Sequence, residues 1–269
     1  MIIMSTEKFI QVVQDDGQTY KIMSNATNFK TVKKMIQSTK YTEKELLAAI
    51  SIKENINRSS NFKIKNNDVF YENVKLPEYM SNRIIAFFEN GLDLSYLENF
   101  WKRLQKNSIK NNVENLYKFL CAQGHAITQD GCFLAYKAVN DDFKDKYTGK
   151  ILNLPNTWVY MPPSEVNDDP TVGCSYGLHV GNWDYVQQYS QGHGKIILVR
   201  VAPEDVICIP EDYSFQKMRT CKYFVIEEYK NSYPLESEMV KVKVPTNFSQ
   251  SLNKNKKPAR DSKGRFIKS

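Results

Sequence analysis

The sequence predicts an α+β protein, and three observations carry that expectation. Between Asn28 and Ala122 apolar residues recur mainly at helical spacing. From His125 to Glu228 they gather into short runs separated by turn formers, the pattern of a mainly antiparallel sheet. From Gln250 onward the chain is basic and too polar to build a core. The expected organisation is therefore an N-terminal hairpin plus helical region over residues 1–124, an α+β core region over 125–249 and a disordered basic tail over 250–269.

In chain order, Phe9 to Val13 and Thr19 to Ile22 flank Asp15-Asp16-Gly17, a hairpin signal because Asp-Gly supplies positive φ. Phe29, Val32, Met35 and Ile36 mark a first helix. Thr42 with Glu45 three residues on forms a capping box that opens a second. A second hairpin is expected where Phe62 and Ile64, then Val69, Tyr71 and Val74, flank Asn66-Asn67-Asp68. Three helices follow Pro77: Ser81 to Glu89, Leu94 to Lys106 and Val113 to Ala122, the first stopped by Asn90-Gly91 and the last by Gly124. Leu94, Leu97, Trp101 and Leu104 share one face of the middle helix, as do Leu116, Phe119 and Leu120 in the next, and both faces are expected in the core. Strands are expected at Phe133 to Val139, Thr157 to Met161, Leu178 to Val180, Lys195 to Val201, Val206 to Ile209, Lys222 to Glu228 and Met239 to Val244. One short helix should follow Asn182, capped by its side chain, with Val186 and Tyr189 facing inward.

The composition is 41% hydrophobic and 25% charged, ordinary for a globular chain, and no apolar run approaches the roughly 18 residues of a membrane span. The opening MIIMSTEK lacks a secretory signal, so residence in the cytoplasm is expected. Cys121, Cys132, Cys174, Cys208 and Cys221 form no C-x-x-C, and a metal site would need a scattered set such as Cys174, His179 and His193; buried thiols and no cofactor are the expectation. Asp141, Asp142, Asp145, Asp168 and Asp169 lack calcium-loop spacing and are expected in turns and caps. Of the net charge of +7, residues 250–269 carry +6 through Lys254, Lys256, Lys257, Arg260, Lys263, Arg265 and Lys268 against Asp261. Salt-sensitive attraction to nucleic acid or to an anionic membrane surface is therefore expected there.

Asp168 to Tyr185, DDPTVGCSYGLHVGNWDY, concentrates the functional candidates. Gly173, Ser175 and Gly177 spell G-x-S-x-G, but a nucleophile elbow needs a strand before the serine and a helix after it, and here turn formers precede it and an extended segment follows. Cys174, His179 and Tyr185 are weak catalytic candidates, with Cys174 a partner for His179 only if a turn joins them. The structural reading gives Asp169 and Pro170 to a turn, Gly177 to backbone freedom and His179 to a hydrogen bond from its ring. Lys217, Arg219 and Arg200 are expected to pair with acids or, alternatively, to hold a phosphate.

The order and spacing of MPPSEVNDDPTVGCSYGLHV, of VRVAPEDVICIPEDYSFQKMRTCKYFVIEE (Val199 to Glu228) and of ITQDGCFLAYKAV (Ile127 to Val139) resemble the rIIB family of T-even bacteriophages, and a weaker likeness reaches back to KFIQVVQDDGQTYKI. The resemblance covers roughly residues 7 to 230. It implies a non-enzymatic early viral factor acting with an rIIA-like partner at the inner face of the host membrane, influencing lysis timing and protecting infection from prophage-encoded exclusion. Family members can carry a helix-turn-helix-like segment ahead of this region, and the chain is expected to begin too late to have one. Two other classes stay open: a nucleic-acid-binding accessory protein using the tail, and a nucleotide- or ADP-ribose-handling module around His179. The latter rests on a distant similarity of GLHVGNWDYVQQY to ADP-ribosyltransferase-like folds, which implies contacts by His179 with Tyr185 or Tyr189 and an acid at Glu227 or Glu228.

Overall fold

The computed structural model describes residues 1–26, 28–66, 68–109, 115–120 and 125–244. Cys121, Gly124, the ends of the helix expected from Val113 to Ala122, and the whole basic segment from Lys254 to Lys268 lie outside the described residues. The fold is α+β, and the chain gathers into two compact units, Met1–Glu98 and Asn99–Ser269.

In the first unit, β1 (Ile2–Ser5), β2 (Phe9–Val13) and β3 (Thr19–Met23) form an antiparallel meander. The expected hairpin is β2–β3, with Val13 opposite Thr19 and Phe9 opposite Met23. β1 adds a strand that its pattern does not announce, because Ile2 and Met4 stay exposed and the backbone ladder to β2 holds the segment. One face of the meander packs on α1 (Phe29–Ser38) and α2 (Glu43–Ile50) through Ile10, Val12, Ile22, Phe29, Val32, Leu46 and Ile50. The capping box forms, since Thr42 N donates to Glu45 Oε2 at 2.8 Å and Glu45 N donates to Thr42 Oγ1 at 3.3 Å. A further helix, α3 (Ile52–Ser59), starts at once behind a Ser51 cap; its polar sequence hides it, and Ile56 is the one residue it buries fully.

The second hairpin appears as β4 (Phe62–Lys65) and β5 (Asp68–Tyr71), extended by the short β6 (Val74–Lys75). α4 (Glu78–Glu89) begins three residues before Ser81, directly after Pro77, where a fixed φ suits a helix start. In α5 (Ser95–Leu104) the stripe of Leu97, Trp101 and Leu104, preceded by Leu94, is buried. Residues 115–120 are helical, with Leu116, Phe119 and Leu120 buried.

The second unit is built on one large sheet, whose main path runs β12-β13-β10-β8-β11-β14-β9 with every neighbour antiparallel. Its strands are β7 (Ile127–Thr128), β8 (Phe133–Val139), β9 (Trp158–Tyr160), β10 (Leu178–Gly181), β11 (Lys195–Val201), β12 (Val206–Cys208), β13 (Lys217–Thr220), β14 (Lys222–Glu228) and β15 (Met239–Val240). β7 pairs with β8, and β15 joins β7 in parallel. β13 is the strand that the sequence conceals, because two cations in the four residues KMRT read as surface, whereas all four are buried. α6 (Trp183–Ser190) covers one face of the sheet, its start capped by the Asn182 side chain, which accepts from Tyr185 N at 3.2 Å. Under it, Tyr136, Trp183 and Tyr229 meet edge to face with centroids 5.2–5.5 Å apart. Val186 points inward as expected, but Tyr189 does not; it is 46% exposed, since a position three residues on from Val186 has rotated to the rim of the helix.

The turn from β7 to β8 passes through Gly131, at φ +78. A Cβ there would lie 2.2–2.5 Å from the backbone of Asn99 and Phe100. Gly131→Ala is expected to destabilise by about 3 kcal/mol, combining left-handed strain with a clash that rigid backbone cannot relieve. Urea denaturation of the two proteins measures it, and a loss under about 1 kcal/mol would mean that the α5 backbone yields.

Candidate functional site

Antiparallel pairing of β10 with β13 sets His179 opposite Arg219 and Gly181 opposite Lys217, so these side chains belong to one face of the sheet. Gly181 also pairs with Tyr136 of β8, which identifies this face as the one that α6 covers. A Cβ on Gly181 would lie 2.6 Å from Tyr185 Cδ1, so the glycine lets the helix come close. Tyr185 and Tyr189, four residues apart on α6, then share a helix face with rings 6.0 Å apart and nearly parallel.

The result is a cavity of about 110 Å³ whose walls include Cys174, His179, Tyr185, Tyr189, Lys137 and Lys217. Cys174, His179, Tyr185 and Lys217 are thus brought together, whereas Arg219 lies behind the wall, fully buried. Arg219 was expected to pair with an acid or hold a phosphate. Instead it donates to backbone carbonyls: Nε to Asn167 at 2.8 Å, Nη1 to Val172 at 2.6 Å and Nη2 to Asp169 at 2.7 Å, with Nη2 also 2.8 Å from Cys208 Sγ. The physical reason is reach, since the turn through Asp169 and Pro170 folds its carbonyls onto the guanidinium while the Asp169 carboxylate turns outward to Thr171. Gly177, at φ +153, passes against Arg219, and a Cβ there would sit 2.9 Å from Val166 Cγ1 and 3.1 Å from Arg219 Cβ.

Lys217 does pair with an acid, its Nζ 2.6 Å from Asp212, and it lies 4.7 Å from the Tyr213 ring centre and 5.7 Å from that of Tyr185. Arg200 pairs with Asp130. Lys137 donates to the His179 carbonyl at 2.8 Å, and burial lowers its ammonium to about 8. Asp145, also in the wall, accepts from Thr148 N, Thr148 Oγ1, Lys150 N and Ile151 N. Burial raises its pKa, but these donors outweigh that effect and hold it below the usual carboxylate range. His179 is half-buried, and burial first, then the charges of Lys137, Arg219 and Lys217, push its imidazole down to about 3. A ring that stays neutral across the physiological range is a poor general base, which works best with a pKa near the operating pH. Among the described residues no hydrogen bond joins Cys174 to the His179 ring, although Cys174 is exposed at the cavity.

Ser175 is buried in an irregular segment, without the strand-to-helix turn of an elbow. His193 is not in the cavity wall, and no group of three metal-ligating side chains occurs among the described residues. Glu227 and Glu228 also lie outside the wall, with Glu228 3.5 Å from Lys195. The sequence reasoning missed Lys137 and Asp145 as wall residues. Lys137 was legible only as an interruption of an apolar strand, FLAYKAV.

Two outcomes follow from this geometry. Arg219→Met is expected to destabilise by about 3 kcal/mol, because it strands buried carbonyls, and Arg219→Lys should not restore the loss, since a single ammonium nitrogen cannot reach three carbonyls that the guanidinium meets through three separate nitrogens. Chemical denaturation distinguishes these, and a lysine variant with wild-type stability would refute the account. For His179 the folded pKa of about 3 lies below the ordinary 6.5, so the unfolded chain binds more protons between those values. The stability contributed is fully present above pH 6.5 and is lost as pH falls toward 3. His179→Gln should therefore lose less stability than the wild type between pH 7.5 and pH 5, and equal losses in urea titrations would contradict a neutral imidazole.

Comparison with known proteins gives the family directly. A family model described as Bacteriophage T4 protein rIIB matches residues 1–235. Protein rIIB of Enterobacteria phage T4 is 33% identical over 227 residues, which cover 83% of this chain and 72% of that protein. No solved structure matches. The match runs through both compact units and the whole cavity wall, so the chain belongs to the rIIB family of bacteriophage proteins.

Proposed function

We propose that this chain is an rIIB-like accessory protein, not an enzyme, that acts with an rIIA-like phage partner at the inner face of the host membrane. There it influences lysis timing and protects the infection from prophage-induced early lysis. Family membership carries this reading. Two further observations support it. No helix among the described residues is long and apolar enough to cross a membrane, so contact with the bilayer would be peripheral. The basic residues from Lys254 to Lys268 supply charge for an anionic surface, each worth roughly 1 kcal/mol close to it. The site chemistry agrees with a non-catalytic role, because the imidazole nearest Cys174 in sequence is held neutral and is not bonded to that thiol.

Affinity purification from infected cells, with a tag on this chain, should recover an rIIA-like phage protein in stoichiometric amount and in the membrane fraction. Recovery of the chain alone from the soluble fraction would reject the reading. Deleting residues 250–269 should leave the thermal midpoint unchanged and remove most binding to anionic vesicles, because the remaining residues carry a net +1. Retained vesicle binding would locate the charge elsewhere, and binding to DNA in preference to vesicles would favour a nucleic-acid accessory role.

A further inference from the structure

The geometry points to a small-molecule site in the cavity between α6 and strands β10 and β13, taking a ligand that joins a planar ring to an anionic group, the chemistry of a nucleoside monophosphate. This is independent of the partner and membrane reading.

The ring half of the argument comes from the wall on α6. Tyr185 and Tyr189 present near-parallel rings, and Tyr213 closes on Tyr185 edge to face at 5.4 Å. Tyr189 is 46% exposed, so its ring stands at the rim of the cavity within reach of a ligand. A cavity of about 110 Å³ is somewhat smaller than the roughly 150 Å³ void that admits benzene, so a flat ring enters only in part and the rest of the ligand stays at the mouth. A mostly apolar lining with a few convergent polar groups is the usual make-up of a ligand pocket.

The anionic half comes from how the charges are spent. Three lysines, Lys137, Lys146 and Lys217, and one acid, Asp145, line the cavity. Asp212 neutralises Lys217, whereas Asp145, although it accepts from four neutral donors, stays ionised and keeps its negative charge beside Lys137. Lys137 donates to the His179 carbonyl, and Lys146 donates to the carbonyls of Ser190 at 3.0 Å and His193 at 2.5 Å. A carbonyl satisfies an ammonium's donor without cancelling its charge, so Lys137 and Lys146 together outweigh Asp145 and leave the wall with one net positive charge. His179, held neutral, keeps one ring nitrogen as an acceptor for a ligand hydroxyl or N–H.

Calorimetric titration of the full chain with AMP, GMP, CMP and UMP, beside inorganic phosphate and adenosine, tests both halves. At least one of the four nucleotides should bind saturably with 1:1 stoichiometry, at least tenfold tighter than phosphate or adenosine, and should raise the thermal midpoint. Lys137→Met should weaken that binding tenfold or more, and Tyr189→Ser at least threefold. Failure of all four nucleotides to bind would overturn the inference, as would phosphate binding equal to theirs. Should Lys137→Met fold poorly, Tyr189→Ser decides the matter, since it alters an exposed helix position, and unchanged affinity there overturns the ring contact.

Discussion

The buried guanidinium of Arg219 is the constraint on which the second unit's functional face depends. Its three carbonyl contacts fold the chain from Asn167 to Val172 back onto β13, and that return delivers Gly173 to Gly177 into the cavity wall and His179 into register on β10. A charge at zero exposure is costly to bury, and here no carboxylate compensates it directly; oriented backbone dipoles do. Gly177 completes the arrangement, since a Cβ there would crowd Val166 Cγ1 at 2.9 Å and Arg219 Cβ at 3.1 Å.

The same cation shapes the chemistry. Burial first, and then the charges of Lys137, Arg219 and Lys217, hold His179 neutral, so the imidazole works as a fixed hydrogen-bonding group rather than a proton carrier. A histidine beside a cysteine and a tyrosine invites a catalytic interpretation from sequence, but proton transfer depends on the field at the ring, and the field comes from residues 42 positions upstream at Lys137 and 38 and 40 positions downstream at Lys217 and Arg219. Proximity in the chain carries no information about it.

Much of the fold was legible because periodicity and caps are local. β8, β11 and β14 have the boundaries that their apolar runs suggest, and the Thr42 and Asn182 caps form as their side chains predict. Elements held by something other than an apolar face escaped notice: β1 by its ladder, α3 by a serine cap and one isoleucine, β13 by its ladder to β10 and by the partners of its two buried cations. The site was legible as a cluster of reactive residue types from Gly173 to Tyr185, but the partners that define it, Lys137, Asp145 and Lys217, arrive through sheet pairing and a turn. The inward orientation expected for Tyr189 failed because an eight-residue helix has room for only a narrow buried stripe, which Trp183 and Val186 fill.

The strand orders of the two units differ in kind. In the first, both sheets are simple meanders, β1-β2-β3 and β4-β5-β6, in which each strand pairs with its neighbour in the chain. Along the main path of the second, only β12 and β13 are consecutive; β8 must wait for β10 and β11, and β9 for the distant β14. Closing long loops before contacts repay the entropy makes such a sheet slow to assemble, whereas meanders form quickly. On a ribosome the first unit would be complete while the second still exposes unpaired strands, so a nascent chain passes through a stage vulnerable to aggregation and to proteolysis. How much active protein an infection yields is then governed by the pace of sheet closure as well as by the stability of the finished fold.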